Sequence, residues 1–381
     1  MPTTPRLRPT ESRLLALLEV SGPLTRGELA RLAGLPPTTI SGVAAELLRD
    51  GRVVEAEAGP GGGRAGRPPR VLALSAPPGV VALVSLSDGA RVTLAGVSGE
   101  VLAEWMGPPS ASPAELGAEA EAAAGAVLEA VRSAAMPRER LAAAVLSVAR
   151  PRPGVENVAA FAARVGVPLV VENDANLGAL GEAAFGVGRG LDSFVYVMLG
   201  KGVGAGLVLG GRLHRGASGF AGELAHVQVR DQEDGALCIC GGRGCLARIT
   251  GPSVRDFVER AYTEQVSVPE VLSLVAGRDP GARRLFADLG RTVGRPLADL
   301  CTMLDPAAVV VDGSLGAAGE PIMAGIREAI DRHAAPAVAD SVRVLAGELG
   351  ERAEILGAVA MVRQRTLDRV AAITSQFPLA G

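Results

Sequence analysis

The sequence is poor in aromatic and lysine side chains. Aromatic residues account for 3% of the 381 residues, which disfavours recognition of single-stranded nucleic acid by base stacking. Lysine occurs once, at position 201, among 38 basic residues. GC-rich codon usage explains this preference for arginine, so we attach no function to it.

The chain also lacks the features of membrane and secreted proteins. No run approaches the roughly 18 to 20 uncharged apolar residues that span a bilayer. The opening residues, MPTTPRLRPTESR, are charged and have no apolar core of the kind that a secretory signal needs. Low-complexity disorder poorly describes a chain that is 48% hydrophobic. We therefore expect a cytoplasmic protein with no membrane partner.

Length and charge distribution indicate more than one domain. At about 150 residues per domain, a chain of 381 residues corresponds to two or three domains. Residues 1–75 contain ten arginines and seven acidic residues, a net charge of +3, whereas the whole chain carries −3. This asymmetry is a weak indication that the N-terminal part faces nucleic acid.

Residues 10–75 have the pattern of three helices followed by two strands. Leucines at helical spacing follow a potential N-cap, Thr10, and a capping box of Thr25 and Glu28 predicts the start of a second helix. Pro36 and Pro37 stand where a third helix begins, because proline is tolerated in the first helical turn. The predicted elements are helices through TESRLLALLEV, Glu28–Ala33 and TTISGVAAELLRDG and strands at Val53-Val54 and Val71–Leu74.

Two short helices joined by a glycine-containing turn are typical of a helix-turn-helix. The first residues of its second helix would meet base edges in the major groove, which singles out Thr38, Thr39 and Ser41. The glycine-rich loop GPGGGRAGRPPR carries arginines that suit a minor groove. A three-helix bundle with a linker is the alternative, but a plain linker has no need of spaced arginines. The loop arginines are Arg64, Arg67 and Arg70.

From residue 79 onwards, short apolar runs alternate with helical stretches. Val80–Leu86, Leu141–Val148 and Ala308–Val311 are short runs bounded by glycine or charged residues. Pro113–Ala135 and Pro280–Met303 have helical patterns. This alternation indicates an α/β architecture. Because about 300 residues exceed what one core usually serves, we expect two lobes with a cleft.

Three of the four cysteines fall within the segment CICGGRGC at 238–245. Four protein ligands would close the coordination sphere of a zinc ion, which predicts a structural role and no zinc-bound hydroxide. A chance cluster of free thiols is the alternative. Cys301 stands alone in an apolar helix and is expected to be an inert core residue. The predicted zinc ligands are His226, Cys238, Cys240 and Cys245.

Two further segments have the composition of binding sites. The segment LGKGVGAGLVLGG at 199–211 could cradle phosphate through backbone amides, but a tight β-hairpin explains its glycines about as well. The segment ENDAN at 172–176 follows an apolar strand and opens a helix, where carboxylate and carboxamide groups suit a polyhydroxylated ligand. Helix capping by Asn173 or Asp174 is the alternative.

Together these segments resemble the ROK family of sugar kinases and transcriptional repressors. ENDANLGALGEAAFG, GKGVGAGLVLGGRLHRGASGFAGELAH, CICGGRGCL and LDPAAVVVDGSLG recur in the family's order and spacing. The resemblance covers residues from about 80 to 370, and the helix-turn-helix with its GRAGRPP loop is similar to the family's regulators. It implies an α/β protein with an N-terminal winged helix-turn-helix and a two-lobed, actin-like ATPase fold, usually in a dimer or tetramer.

The resemblance also implies domain boundaries. Residues 1–76 would form the DNA-binding domain and residues 77–381 the sensor domain. Within the sensor domain, one lobe would comprise about 79–170 with a C-terminal helix at about 352–372. The other lobe would comprise about 173–350 and contain the zinc site.

The motifs that hold nucleotide in the family's kinases are altered in this chain. Those kinases open the domain with an Asp-x-Gly-x-Thr phosphate loop, where this chain has VSLSD at 84–88. The second phosphate loop, usually Gly-Thr-Gly, is GKG at 200–202. Lys201 could hold an anion or be a surface or ion-paired lysine. Because phosphoryl transfer depends on groups that position metal and phosphates, we expect no ATP and no catalysis, although Asp174 matches the family's catalytic base.

The family's hydroxyl-binding residues are kept only in part. Asn173, Asp174, Glu223 and His226 match that set, with His226 doubling as a zinc ligand. The glutamate that normally follows the last cysteine by two positions is Ala247 here, and ARPRPGVENVAAF is shorter than the family's equivalent. A pocket built for hydroxyls loses affinity when such partners vanish. Sugar sensing and a different or absent effector therefore both stay open.

The sequence predicts a transcriptional regulator, most simply a repressor, that binds double-stranded operator DNA as a homodimer or tetramer. Its kinase-like domain would be catalytically inactive, carry structural zinc and sense a sugar or sugar phosphate. An active hexose kinase with an appended DNA-binding module is one alternative. A DNA-binding regulator that responds to no ligand is the other.

Overall fold

A computed structural model gives the architecture of the chain, which divides into two compact units. The first comprises Met1–Leu146, Gly154–Val170 and Val359–Gly381, and the second comprises Ser147–Pro153 and Val171–Ala358. The domain and lobe boundaries expected from the sequence stay predictions. Within the two units the structure describes residues 8–50, 52–57, 70–75, 79–86, 90–107, 118–149, 158–200, 202–229, 237–238, 240–248 and 268–376.

The N-terminal part forms three helices and a small antiparallel sheet. Its elements are α1 (Pro9–Ser21), β1 (Leu24–Thr25), α2 (Arg26–Ala33), α3 (Pro37–Arg49), β2 (Val53–Glu57) and β3 (Arg70–Leu74). The strand order is β1-β3-β2. Leu14, Leu29, Ile40 and Leu47 of the helices are buried together with Leu72 of the sheet. Three helices packed on a short sheet are the winged helix-turn-helix that the sequence predicts.

The second helix ends at Ala33 as predicted, but it begins at Arg26, two residues before the predicted start at Glu28. The Oγ of Thr25 accepts a hydrogen bond from the backbone N–H of Glu28 (3.2 Å), and Glu28 Oε2 accepts one from the backbone N–H of Thr25 (2.8 Å). This is the predicted capping box. Gly34 ends α2 with φ 62°, a left-handed conformation that glycine adopts at little cost.

The first helix begins two residues earlier than expected. Its N-cap is Arg8, and Thr10 lies inside the first turn, so the predicted cap is wrong. Glu11 accepts hydrogen bonds from the backbone N–H of Arg8 (2.8 Å) and from its guanidinium Nε (2.9 Å). An ion pair therefore replaces the threonine hydroxyl at this helix start.

Two five-stranded sheets with flanking helices make up the rest of the described chain. The first sheet contains β4 (Val80–Ser85), β5 (Arg91–Gly96), β6 (Val101–Met106), β7 (Leu141–Val148) and β8 (Leu169–Asn173), accompanied by α4 (Ala118–Ser133) and α5 (Val158–Val165). The second contains β9 (Phe194–Leu199), β10 (Val203–Leu209), β11 (Arg212–His214), β12 (Ala308–Asp312) and β13 (Arg343–Ala346). The remaining helices are α6 (Asp174–Phe185), α7 (Val268–Ala276), α8 (Pro280–Leu304), α9 (Glu320–His333), α10 (Pro336–Ser341) and α11 (Ala353–Gln376).

The two sheets share one strand order. It is β6-β5-β4-β7-β8 in the first sheet and β11-β10-β9-β12-β13 in the second. Counted along the chain, each sheet runs third, second, first, fourth, fifth. The first three strands of each sheet pair antiparallel, and β12 pairs parallel with both β9 and β13. This duplicated plan agrees with the actin-like fold that the resemblance implies.

The glycine-rich segment 199–211 contains an antiparallel hairpin, the alternative that the sequence left open. Its strands β9 and β10 pair from Val203 opposite Leu199. A Cβ on Gly206 would lie 2.6 Å from the carbonyl oxygen of Ala175. The glycine therefore lets α6 approach the backbone of β10, which fixes the start of that helix. Lys201 lies outside the described residues.

The 25-residue helix α8 is amphipathic. It buries Phe286, Val293 and Leu297 on one side, while charged residues such as Arg291 pair with α9 on the other (Nε to Glu328 Oε2, 2.7 Å). Such charged faces do not suit the interior of a bilayer. Among the described residues, no helix combines the length and the hydrophobicity that a membrane span requires.

Candidate functional site

The four predicted zinc ligands come together in the second unit. One donor atom from each of His226, Cys238, Cys240 and Cys245 lies within 4.8 Å of the other three. Cys238 Sγ is 3.7 Å from His226 Nδ1, and Cys240 Sγ is 3.6 Å from Cys245 Sγ. Zinc–sulfur bonds of about 2.3 Å at tetrahedral angles imply sulfur–sulfur separations of about 3.8 Å. The donors therefore have the spacing that a zinc ion requires.

Glycines shape the backbone around the thiols. Gly241 and Gly244 have φ of 90° and 67°, in the left-handed region that favours glycine. A Cβ on Gly242 would lie 3.3 Å from Cys245 Sγ and 3.4 Å from Cys240 Sγ. The backbone N–H of Gly242 also donates to Cys240 Sγ (3.4 Å). The segment can thus fold tightly around a small ion, as a structural site does.

His226 lies between the thiols and the predicted ligand-binding residue Glu223. Its Nδ1 faces Cys238, and its Nε2 is 3.8 Å from Glu223 Oε2, which is too long for a direct hydrogen bond. A metal-binding histidine usually presents its second ring nitrogen to a carboxylate, carbonyl or water. While Nδ1 holds an ion, Nε2 can therefore meet Glu223 or a ligand hydroxyl.

Asn173 and Asp174 lie where β8 ends and α6 begins. Asn173 Oδ1 accepts from the backbone N–H of Asn176 (3.0 Å), so Asn173 is the helix cap. Its Nδ2 donates to Asp174 Oδ1 (3.0 Å), which also accepts from the backbone N–H of Ala175 (2.7 Å). Both hydrogen bonds to Asp174 from described residues thus use the same oxygen. Asn173 therefore caps the helix and orients the neighbouring carboxylate.

Asp174 is partly buried among other acidic side chains. Burial, followed by the nearby carboxylate groups of Glu354 and Glu223, raises the pKa of Asp174 to about 7. Ser147 Oγ donates to Glu354 Oε2 (2.8 Å). The sequence analysis missed Ser147 and Glu354, which are 207 positions apart. The only signal was one acidic residue in the otherwise apolar segment AEILGAVA.

Glu172 connects the start of α6 to the loop that precedes Glu223. Its Oε2 accepts from Arg215 Nε (2.8 Å), and its Oε1 accepts from the backbone N–H of Asn173 (3.0 Å) and from Asn176 Nδ2 (2.9 Å). Glu172 is 9% exposed, and a carboxylate so buried is stable when it is paired. The ion pair between Glu172 and Arg215 thus anchors the loop, a role that the sequence analysis did not assign to either residue.

The predicted base-contacting residues lie in the first turns of α3. Thr38 and Ser41 are exposed, and Thr39 is half-buried. Ser41 Oγ donates to the carbonyl oxygen of Pro37 (2.9 Å), and as a hydroxyl it can also accept a hydrogen bond. The exposed side chains that follow Pro37 at the start of this helix are therefore short and polar.

The loop arginines predicted to enter a minor groove are described only in part. Arg64 and Arg67 lie outside the described residues. Arg70 is the first residue of β3, and its Nη1 is 2.7 Å from Glu55 Oε2. Its guanidinium thus has a partner within the sheet, which the sequence analysis did not foresee.

Comparisons with known proteins bear on both parts of the chain. A model described as "ROK family" matches residues 146–365. A glucokinase of Streptomyces coelicolor is 36% identical over 226 residues, covering 53% of this chain and 69% of its own. A xylose repressor of Caldicellulosiruptor bescii is 25% identical over 373 residues, covering 89% and 91%. The crystal structure of a ROK family transcriptional regulator, a homolog of the E. coli MLC protein, has a TM-score of 0.75 at 22% identity, covering 96% and 98%. The expected fold is thereby confirmed.

Loss of one donor should empty the metal site. Burial raises the pKa of Cys245 to about 12, so metal binding must displace its thiol proton. Because the four donors come together only in the folded chain, metal binding also stabilises the fold. We expect Cys245→Ser to lose bound zinc and to melt at a lower temperature than the wild type. Elemental analysis and thermal melts check this. Cys301→Ser, at a buried cysteine of α8, is the matched thiol control for zinc content, and full zinc content in Cys245→Ser would contradict the assignment.

Removal of the Asp174 charge should stabilise the protein above pH 7. The pKa of Asp174 is about 7 in the folded chain and 3.8 ordinarily. Between about pH 4 and 7 the carboxyl group is therefore protonated in the folded chain and ionised in the unfolded chain, so unfolding releases a proton. The free energy of unfolding consequently falls as the pH rises through that window. Asp174→Asn avoids this loss, which amounts to a few kcal/mol at about 1.4 kcal/mol per pKa unit. Thermal melts at several pH values, with exposed Asp192→Asn as control, test it. A gain that is equal at all pH values would contradict the assignment.

Proposed function

This chain belongs to the ROK family, and we propose that it is a DNA-binding transcriptional regulator that acts as a repressor. The winged helix-turn-helix at residues 8–75, with an exposed start of α3, carries this proposal. Similarity to a xylose repressor over 89% of the chain supports it, because a match of that extent must include part of the N-terminal module. The glucokinase match covers 53% of the chain.

Operator DNA would be read by the first turns of α3. Recognition helices place their N-terminal residues against base edges in the major groove, and Thr38, Thr39 and Ser41 are located there. Arg64 and Arg67 would enter the adjacent minor groove, where a narrow groove concentrates negative potential. A homodimer or tetramer would place two modules on half-sites about 34 Å apart, one turn of the duplex.

The same family membership supports a sugar or sugar phosphate as the effector. Asn173, Asp174, Glu223 and His226 supply oxygen and nitrogen groups that pair with hydroxyls, and a carboxyl group with a pKa near 7 can donate as well as accept. An effector regulates DNA binding only if it binds one conformation of the protein more tightly than another. We propose that this differential binding changes the separation of the two DNA-binding modules.

The kinase-like domain is proposed to be catalytically inactive. At the position where the family's kinases carry the aspartate of the first phosphate loop, this chain has Val84, which is fully buried in β4. An apolar side chain there cannot help to hold a metal–nucleotide complex. Ser87 and Asp88 of the same segment lie outside the described residues.

Zinc would hold the segment from His226 to Cys245. With four protein ligands the ion has no open position, so it supplies folding free energy and no reaction chemistry. Through the two nitrogens of His226, the metal would also orient the ring that faces Glu223. Ligand binding and metal binding thus share one side chain.

Replacement of the loop arginines tests the DNA-binding proposal. We expect Arg64→Ala with Arg67→Ala to weaken binding to a labelled duplex and to reduce the slope of log affinity against log salt by about 0.9 for each lost phosphate contact. Fluorescence anisotropy at several salt concentrations measures this. If the slope of log affinity against log salt is unchanged, the loop does not contact DNA.

A working hexose kinase is the second candidate, favoured by 36% identity to a glucokinase and by the presence of Asp174. Incubation with ATP and a sugar panel distinguishes the two, and we expect no sugar phosphate. Formation of sugar phosphate would support the kinase activity.

Thermal-shift measurements with the same sugars and their phosphates test sensing, because a specific ligand raises stability by mass action. If no sugar or sugar phosphate shifts the melting temperature, the proposal of a sugar effector is wrong.

A further inference from the structure

Glu55 of β2 binds two arginines at the end of the small N-terminal sheet. Its Oε1 is 2.5 Å from Arg26 Nη2, and its Oε2 is 2.7 Å from Arg70 Nη1. Each arginine therefore has its own carboxylate oxygen. Hydrogen bonding to Arg26 and then to Arg70 lowers the pKa of Glu55 below its ordinary value.

The position of these side chains follows from the register of the sheet. Glu57 pairs with Arg70 in the last pair before the loop at 58–69, so Arg70 lies at the loop end of the sheet. Side chains two positions apart share one face of a strand. Glu55 therefore lies on the same face as Val53, which is 2% exposed and packs with the helices. The two arginines are held at the loop end, on the side of the helix-turn-helix.

Both guanidinium groups keep donors for a further partner. Arginine has five N–H groups, and the described bonds to Glu55 use one from each residue. The side chains of Arg26 and Arg70 are 39% and 60% exposed. Two arginines around one carboxylate also leave one net positive charge. The group can therefore bind an anion without breaking the existing pairs.

Arg26 and Arg70 belong to two elements that flank the recognition helix. Arg26 is the first residue of α2, and the first helix of a helix-turn-helix crosses the DNA backbone. Arg70 follows the loop that is proposed to enter the minor groove. Groups beside a recognition helix generally contact phosphates, which fix the register of the protein on the duplex.

We propose that Arg26 and Arg70 each contact a DNA phosphate while both stay paired with Glu55. The inference rests on the proposed DNA-binding function and deepens it, because it assigns backbone contacts that the recognition residues do not provide. Phosphate contacts carry no sequence information. They can therefore be measured on any duplex, before the operator is known.

The experiment measures binding of the full chain to a fluorescent 30-base-pair duplex of arbitrary sequence by anisotropy, at several salt concentrations. We expect Arg26→Ala and Arg70→Ala each to reduce the slope of log affinity against log salt by about 0.9 per bound module, or about 1.8 when a dimer binds. Arg26→Lys and Arg70→Lys should restore most of that slope because they keep the charge. Glu55→Gln breaks both ion pairs but keeps both arginines, so its slope should equal that of the wild type.

Arg352→Ala, an exposed arginine of the second unit, is the matched control and should leave the slope unchanged. Thermal melts of every variant report folding separately. If Arg26→Ala and Arg70→Ala melt early but keep the wild-type slope, the arginines are only structural and the inference is wrong. An equal loss of slope in Glu55→Gln would also overturn it, because the effect would then come from the broken pairs. Wild-type protein without salt-dependent duplex binding would instead refute the proposed function.

Discussion

The close packing of α6 is the constraint on which the second unit depends. A Cβ on Gly206 of β10 would lie 2.6 Å from the carbonyl oxygen of Ala175, and one on Gly178 would lie 2.5 Å from the ring of Tyr196. Real Cβ atoms do not come this close to other atoms, so the helix can lie here only because both positions are glycine. Any larger residue would push the helix away by a fraction of an ångström or more. Since Asn173 and Asp174 stand at the start of α6, the geometry of the proposed ligand site is set by these backbone contacts.

The other end of α6 is fixed by a buried carboxylate. Glu182 is completely buried, and it accepts hydrogen bonds from the backbone N–H groups of Val187 (2.8 Å), Glu348 (2.8 Å) and Leu349 (2.9 Å). Burial raises its pKa, and the three N–H donors oppose that effect. A buried charge is tolerated when its acceptors are satisfied in this way. Glu182 thereby holds the turn that leads into α11 and to Glu354, so both ends of one helix determine the surroundings of Asp174.

The candidate metal centre would address a different problem, the folding of a glycine-rich segment around His226, Cys238, Cys240 and Cys245. Four donors around one ion can replace a hydrophobic core, because coordination supplies folding free energy that few side chains could supply by burial. The shared use of His226 has a functional consequence. Its Nδ1 faces the thiols and its Nε2 faces Glu223, so a bound metal would fix the imidazole orientation that a ligand meets.

Sequence alone determined the features that arise within one turn or one loop. The capping box of Thr25 and Glu28 located α2, and the spacing of three cysteines singled out the candidate metal ligands, because hydrogen bonds and ligands a few residues apart are encoded locally. Only the tertiary structure decided why Gly206 is a glycine and that Ser147 meets Glu354 near Asp174. Such contacts join elements that are far apart in the chain. They depend on how helices and strands pack, and no local pattern specifies that packing.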